Sequence, residues 1–282
     1  MPSSATRHAN ALLTRRVITI ISYVLSIYFS FKYAGGRWGN HPPTFHVNDT
    51  PFTANAIVVL VYWLFLLIGQ LFYLLQFYSD DEPTLVDVTN ITWHFTLFNL
   101  LHSLWIWLFS HKHKYISAEI VLIANLFNLL GLYVHHKPYA IKPLSRWITI
   151  HPSTCALPLS WVMYAIFWNG AVAFHAHRGF FSRIVANIFI WEFLLVPGLF
   201  IILFNDWAIG FSSAALVFGI GIAQLFTKII ALQWIFAFII AGLLFLLSTI
   251  IAIPKLTPAA ITKLREDTRG NGERAPLLEP NA

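Results

Sequence analysis

Apolar side chains dominate eight stretches of the chain, each near the ~20 residues that an α-helix needs to cross a bilayer. They cover residues 17–33, 54–78, 91–109, 116–134, 155–175, 184–204, 208–226 and 229–253. Polar segments separate the first six clearly. The sixth and seventh are divided only by Asn205-Asp206-Trp207, and the last two only by Thr227-Lys228. That final pair reads as a tight hairpin or a single re-entrant element, so seven spans is the competing count. The first run follows Arg7, Arg15 and Arg16 and ends without a small-x-small cleavage site, which fits an uncleaved signal anchor. The expected fold is an all-α integral membrane protein, a polytopic bundle of about eight transmembrane helices. Its expected parts are an N-terminal segment 1–16, five helices over 17–175, three more over 184–253, and a polar, disordered tail 254–282.

Composition agrees with a lipid solvent. Of the 282 residues, 57% are hydrophobic and 11% charged, against about 45–50% and 25% in soluble domains. Mean hydropathy is +0.67. Such a chain excludes a cytosolic enzyme, a nucleic-acid-binding module and a disordered protein. The net charge of +6 then reads as a positive-inside signature rather than a polyanionic partner. With the N-terminus inside, the inner flanks hold eleven Lys and Arg and the outer flanks seven, so both termini are expected in the cytosol. The lone cysteine, Cys155, can form neither an intrachain disulfide nor a cysteine metal site.

Polar residues inside apolar spans mark either interhelical hydrogen bonds or a ligand path. On the third span Thr92, Thr96, Asn99 and Ser103 recur every three or four residues and share one face, with His102 beside them. Tyr62, Gly69, Tyr73 and Gln76 on the second span, Asn125 and Asn128 on the fourth, and Ser160, Tyr164, Trp168 and Asn169 on the fifth repeat the pattern. Convergence of these stripes would build a polar cavity with aromatic walls; pairwise hydrogen bonding is the competing reading. Tryptophan numbers 11, and Trp63, Trp105, Trp107, Trp161, Trp168, Trp191 and Trp234 fall inside spans, where flat apolar walls suit a planar ligand.

Glu192 lies mid-way along the sixth span, five residues before Pro197. A carboxylate at that depth costs about 2.5–3.5 kcal/mol on insertion scales unless paired or protonated, so it is a candidate proton or ion relay. Six of the 12 histidines, His111, His113, His135, His136, His175 and His177, sit at helix ends near Lys or Arg, which repel a divalent cation. No metal site is expected, although His94 and His102 form a reserve pair for a ligand. Ala215, Gly219 and Ala223 make a small-residue row for close helix packing or a homodimer seam. There is no P-loop, GxGxxG, GxSxG or paired-carboxylate motif.

The run Asn99-Leu100-Leu101-His102-Ser103-Leu104-Trp105-Ile106-Trp107, with Pro51-Phe52-Thr53-Ala54-Asn55 before the second span and Arg146-Trp147 before a fifth ending in Asn169, carries a resemblance. Residues 17–175 resemble the five-helix tryptophan-rich sensory proteins of the translocator (peripheral benzodiazepine receptor) type. That resemblance implies a planar ligand such as a porphyrin or sterol among the five helices. As a whole, with three further helices and an acidic second loop, the chain resembles a fungal multi-pass membrane family of unknown function.

In the tail, Glu273-Arg274-Ala275-Pro276-Leu277-Leu278 is similar to acidic dileucine sorting signals. The similarity implies a clathrin-type adaptor as partner and a vacuolar or endolysosomal membrane, with Glu273, Leu277 and Leu278 as the recognised residues. The leading expectation is a non-enzymatic protein that binds or moves a small planar or apolar molecule in a cavity lined by Asn99, His102, Trp105, Tyr164 and Trp168. The alternatives are a ligand-free membrane scaffold seated through the seventh helix, and a metal-dependent enzyme using His94, His102 and Glu192.

Overall fold

The computed structural model describes residues 4–34, 50–111, 114–176, 180–225 and 232–257. No strand occurs among them. The helices are α1 (Ser4–Ala34), α2 (Ala56–Leu75), α3 (Glu82–Phe109), α4 (Tyr115–His136), α5 (Leu144–His151), α6 (Leu157–Ala173), α7 (Phe180–Phe189), α8 (Glu192–Phe204), α9 (Trp207–Leu225) and α10 (Gln233–Leu256). A five-residue π-helical turn, Pro152–Ala156, fuses α5 to α6. That wider turn carries the chain past Pro152 and Pro158, neither of which has an N–H for the helical ladder. A break at Ile190 and Trp191 divides α7 from α8 inside what the sequence presents as one apolar run.

Seven helices among the described residues are long and apolar enough to cross a membrane. The expected third span is the one that falls outside this set. At 28 residues α3 is long enough, but its hydroxyls, amides, histidines and acidic first turns lower its mean hydropathy. It starts at Glu82, nine residues before its apolar run. The cause is a cap: the Asp81 carboxylate accepts from the Thr84 N–H at 3.1 Å, satisfying one first-turn donor, and from the Thr84 hydroxyl. Arg146 then ties this start to α5 through Asp81 (3.1 Å) and Asp87 (3.2 Å).

Packing runs α10 along α9, α3 between α1 and α4, and α4 and α9 along α6. The connections collect at two ends. At one, Arg15 donates to the Thr89 carbonyl (3.4 Å), Arg16 to that of Phe77, and Lys255 to that of Asn205 (3.0 Å). At the other, Gln224 and Gln233 donate to the carbonyls of Thr50 (3.1 Å) and Pro51 (2.7 Å), and Asn169 to that of Tyr115 (2.9 Å). Large apolar side chains such as Ile57, Phe65, Phe127, Ile202 and Phe245 point outward. An apolar exterior of this extent fits a lipid bilayer and not water.

Candidate functional site

The polar stripes mostly find partners close by. On α3, Thr92 donates to the carbonyl of Val88 (2.8 Å), Asn99 to Phe95 (3.0 Å) and Ser103 to Asn99 (2.8 Å), each one turn back on its own helix. Between helices the bonds are pairwise. Asn125 donates to the Phe98 carbonyl (3.3 Å), Asn128 to that of His94 (3.0 Å), Tyr73 to that of Val88 (2.9 Å) and Tyr62 to that of Leu157 (2.7 Å). Asn169 joins three helices by accepting from the Trp105 indole (3.4 Å) and donating to Glu119 on α4 (2.6 Å). Hydrogen bonding within and between helices thus takes up most of the stripes' polar groups, and they do not line a shared polar chamber.

A cavity exists nonetheless, and its walls are aromatic. It has a volume of about 370 Å³ and lies between α1, α2, α3 and α6, inside the usual range of about 300–1,000 Å³ for small-molecule sites. His102, Trp105, Tyr164 and Trp168 all line it, joined by Trp63 and Trp161. Asn99 does not; it is fully buried, with its Oδ1 unpartnered. The His102 ring stacks on Trp63 at 4.3 Å between centroids and 29° between planes. Trp161 stands edge-on to Trp63 (4.8 Å), and Tyr164 stacks with Trp168 (6.1 Å, 23°). Ser30 on α1 reaches His102 Nε2 at 3.5 Å. The Tyr164 hydroxyl accepts the Ala54 N–H (3.1 Å), which anchors α6 to the start of α2. The indole N–H groups of Trp161 and Trp168 have no acceptor.

A second cavity of about 270 Å³ lies between α4, α6, α8 and α9, with Tyr164 on the wall of both. Glu192 lines it from the first turn of α8. His94 is elsewhere: its Nδ1 meets the carbonyl (3.0 Å) and side-chain oxygen (2.9 Å) of Asn128. His94, His102 and Glu192 therefore occupy three separate surroundings. No group of three or more His, Cys, Asp or Glu among the described residues is placed to hold a metal ion.

The small-residue row divides as well. Gly219 is buried where α9 touches the start of α2, with its carbonyl accepting the Asn55 N–H at 2.9 Å. A Cβ there would lie 3.0 Å from Val58 Cγ1 and 3.3 Å from Ala54 Cβ. Ala215 is exposed and Ala223 half-buried, so the close approach at Gly219 is within the chain. The tail residues Glu273, Leu277 and Leu278 lie outside the described residues.

One cluster has no counterpart among the residues singled out from sequence. The Asp206 carboxylate, between α8 and α9, accepts from His151 Nε2 (2.9 Å) and the Tyr133 hydroxyl (3.1 Å) on one oxygen, and from the Ile209 N–H (3.3 Å) on the other. Side chains of both His151 and Asp206 are fully buried. Only the position of Asp206 just before a helix hints at this in the sequence.

With this geometry in view, two likenesses bear on the chain. Residues 183–278 match the family described as "Fungal protein of unknown function (DUF1774)". An uncharacterised protein of Schizosaccharomyces pombe is 30% identical over 288 residues, covering 95% of this chain and 97% of the relative. The chain belongs to this fungal family. The family match covers α7 to α10 and so includes Glu192 and Asp206, whereas the aromatic cavity lies in the half that only the whole-length relative spans. No solved structure matches it.

Proposed function

We propose that the protein binds or moves a small, flat, largely apolar molecule in the aromatic cavity between α1, α2, α3 and α6. One observation carries this reading. Four of the five side chains picked from sequence, separated by up to 66 positions, meet with Trp63 and Trp161 around one 370 Å³ space. Stacked and edge-on rings offer a flat ligand wide apolar faces. His102 on the cavity wall offers a polar ring to a ligand oxygen or nitrogen. The resemblance of residues 17–175 to translocator-type proteins points to the same class, a sterol or porphyrin. The activity is binding or transfer, without catalysis.

The test uses the full chain in lipid nanodiscs, titrated with a fluorescent sterol and, separately, with protoporphyrin IX. Saturable binding of either probe is expected, with Trp105→Ala and His102→Ala each weakening it at least about tenfold, or 1.4 kcal/mol. Unchanged affinity in both variants refutes the reading. For location, we propose a vacuolar or endolysosomal membrane with both termini in the cytosol. The Lys and Arg of the inner flanks and the tail motif ending at Leu278, which the family match reaches, support this. Replacing Leu277 and Leu278 with alanine should move a tagged protein to another membrane.

A further inference from the structure

We infer that the aromatic cavity opens sideways into the bilayer between α1 and α2 and takes up an uncharged ligand already dissolved in the lipid. This route rests on the cavity being the ligand site proposed above. Exposure differs between its walls. On α3 and α6, His102, Trp105, Ile106, Trp161 and Tyr164 are each at most 3% exposed. On α1 and α2, Phe31, Leu60 and Leu64 line the same space while being 66%, 47% and 56% exposed. A side chain that lines a cavity and also meets the surroundings stands at its mouth. Leu60 and Leu64 lie four and eight residues into the span Ala56–Tyr78, about 6 and 12 Å along the helix axis. At that depth the surroundings are acyl chains rather than water.

Hydrogen bonds set the limits of the cleft. The Tyr23 hydroxyl donates to the Leu67 carbonyl (2.8 Å) and joins α1 to α2. Ser30 and Phe31, about two turns further along α1, are already on the cavity wall. The segment before α2 is held the other way, against α6, α9 and α10. There the Asn55 N–H donates to the Gly219 carbonyl (2.9 Å), Gln233 donates to the Pro51 carbonyl (2.7 Å), and Phe52 packs on Phe167 (5.6 Å). The start of α2 is thus anchored away from α1, and its middle is tied to α1, which leaves a wedge between the two helices. No Lys, Arg, Asp or Glu lines the cavity, so a charge brought through the lipid would lose its water and gain no counter-ion. An uncharged lipid with a single polar group suits this space, with the His102 ring on the back wall to meet that group. A porphyrin that keeps its carboxylates ionised does not.

The experiment uses the full chain in nanodiscs of phosphatidylcholine, a small fraction of which carries a photoreactive diazirine at the middle of one acyl chain. Its headgroup keeps this probe in the bilayer, and its reactive carbon lies about half-way down a leaflet, near the depth of Leu60 and Leu64. After irradiation, peptide mass spectrometry should find label on Ile106 and Trp161, which are too buried to meet surrounding lipid, as well as on the outward-facing Ile202. Leu64→Trp narrows the mouth and should lower labelling of Ile106 and Trp161 at least about fivefold while sparing Ile202. Phe31→Ala widens it and should raise back-wall labelling, which keeps the test open if Leu64→Trp misfolds. Excess ergosterol should displace the back-wall label and protoporphyrin IX should not. Three results overturn the inference: label confined to outward-facing residues, back-wall labelling that ignores both mouth variants, or equal competition by the sterol and the porphyrin. Saturable sterol binding with an unlabelled back wall would refute the sideways route alone. A labelled back wall without saturable binding of a sterol or porphyrin would refute the flat-ligand reading and leave the opening in place.

Discussion

Removing the Asp206 carboxylate tests whether the buried cluster holds the bundle together. Asp206→Ala leaves three donors without an acceptor: His151 Nε2, the Tyr133 hydroxyl and the Ile209 N–H. Each stranded buried donor costs about 1–3 kcal/mol, and loss of a cap alone costs about 0.5–2 kcal/mol. These terms overlap, so the measured cost of breaking a buried pair, about 3–5 kcal/mol, is the better guide. At about 2–4 °C per kcal/mol for a chain of this order of size, the midpoint should fall by roughly 10 °C. Asp206→Asn keeps one oxygen and should fall by about half as much. Tyr133→Phe removes a donor while the carboxylate keeps two others, and should cost about 1 kcal/mol.

Cys155 supplies the assay. It is the single thiol of the chain and is fully buried in the π-helical turn next to His151. A fluorogenic maleimide therefore reacts only when this part of the bundle opens, and its labelling against temperature reports the transition in detergent micelles. The expected order of loss is Asp206→Ala, then Asp206→Asn, then Tyr133→Phe. A shift below about 2 °C for Asp206→Ala, or a larger one for Tyr133→Phe, would show that the cluster contributes little to stability.

Two further outcomes are expected. A Cβ on Gly210 would stand 1.9 Å from Ser248 Oγ and 2.6 Å from Ile201 Cδ1, so Gly210→Ala should cost about 1–3 kcal/mol by overpacking α9 against α10 and α8. Ser248 Oγ has no partner, so adding Ser248→Ala should recover part of that loss in the same labelling assay; no recovery would refute the contact. At the start of α3, the Thr84 hydroxyl, helped by the Thr84 N–H and the Arg146 guanidinium, holds the Asp81 carboxyl below its usual value of 3.8 against some opposing desolvation. A depressed carboxyl stabilises the fold fully above about pH 4 and loses that effect as pH falls through its lowered value. Hydrogen exchange over residues 82–90 should therefore quicken on acidification below about pH 4, relative to its intrinsic rate. Asp81→Asn should flatten that dependence, and an unchanged profile would count against the cap.

What the sequence made legible followed its periodicities. Runs near 20 residues gave the apolar helices because lipid imposes both length and composition on them. The same logic misjudged the start of α3, since a cap at Asp81 and a bridge from Arg146 extend a helix through residues that hydropathy reads as a loop. The break at Ile190 and Trp191 was equally hidden, because no polar residue marks it. Period also told which residues share a face of one helix, but not what that face meets. Asn99 and His102 are three positions apart on α3, yet one bonds its own helix and the other stacks on Trp63. Aromatic residues were the better guide to the cavity, because a ring too large to pack without gaps marks where space remains. Polar residues guided poorly, because a bilayer-embedded chain satisfies most of them within or between helices. Asp206 and His151 lie 55 positions apart with no shared motif, so only tertiary structure pairs them.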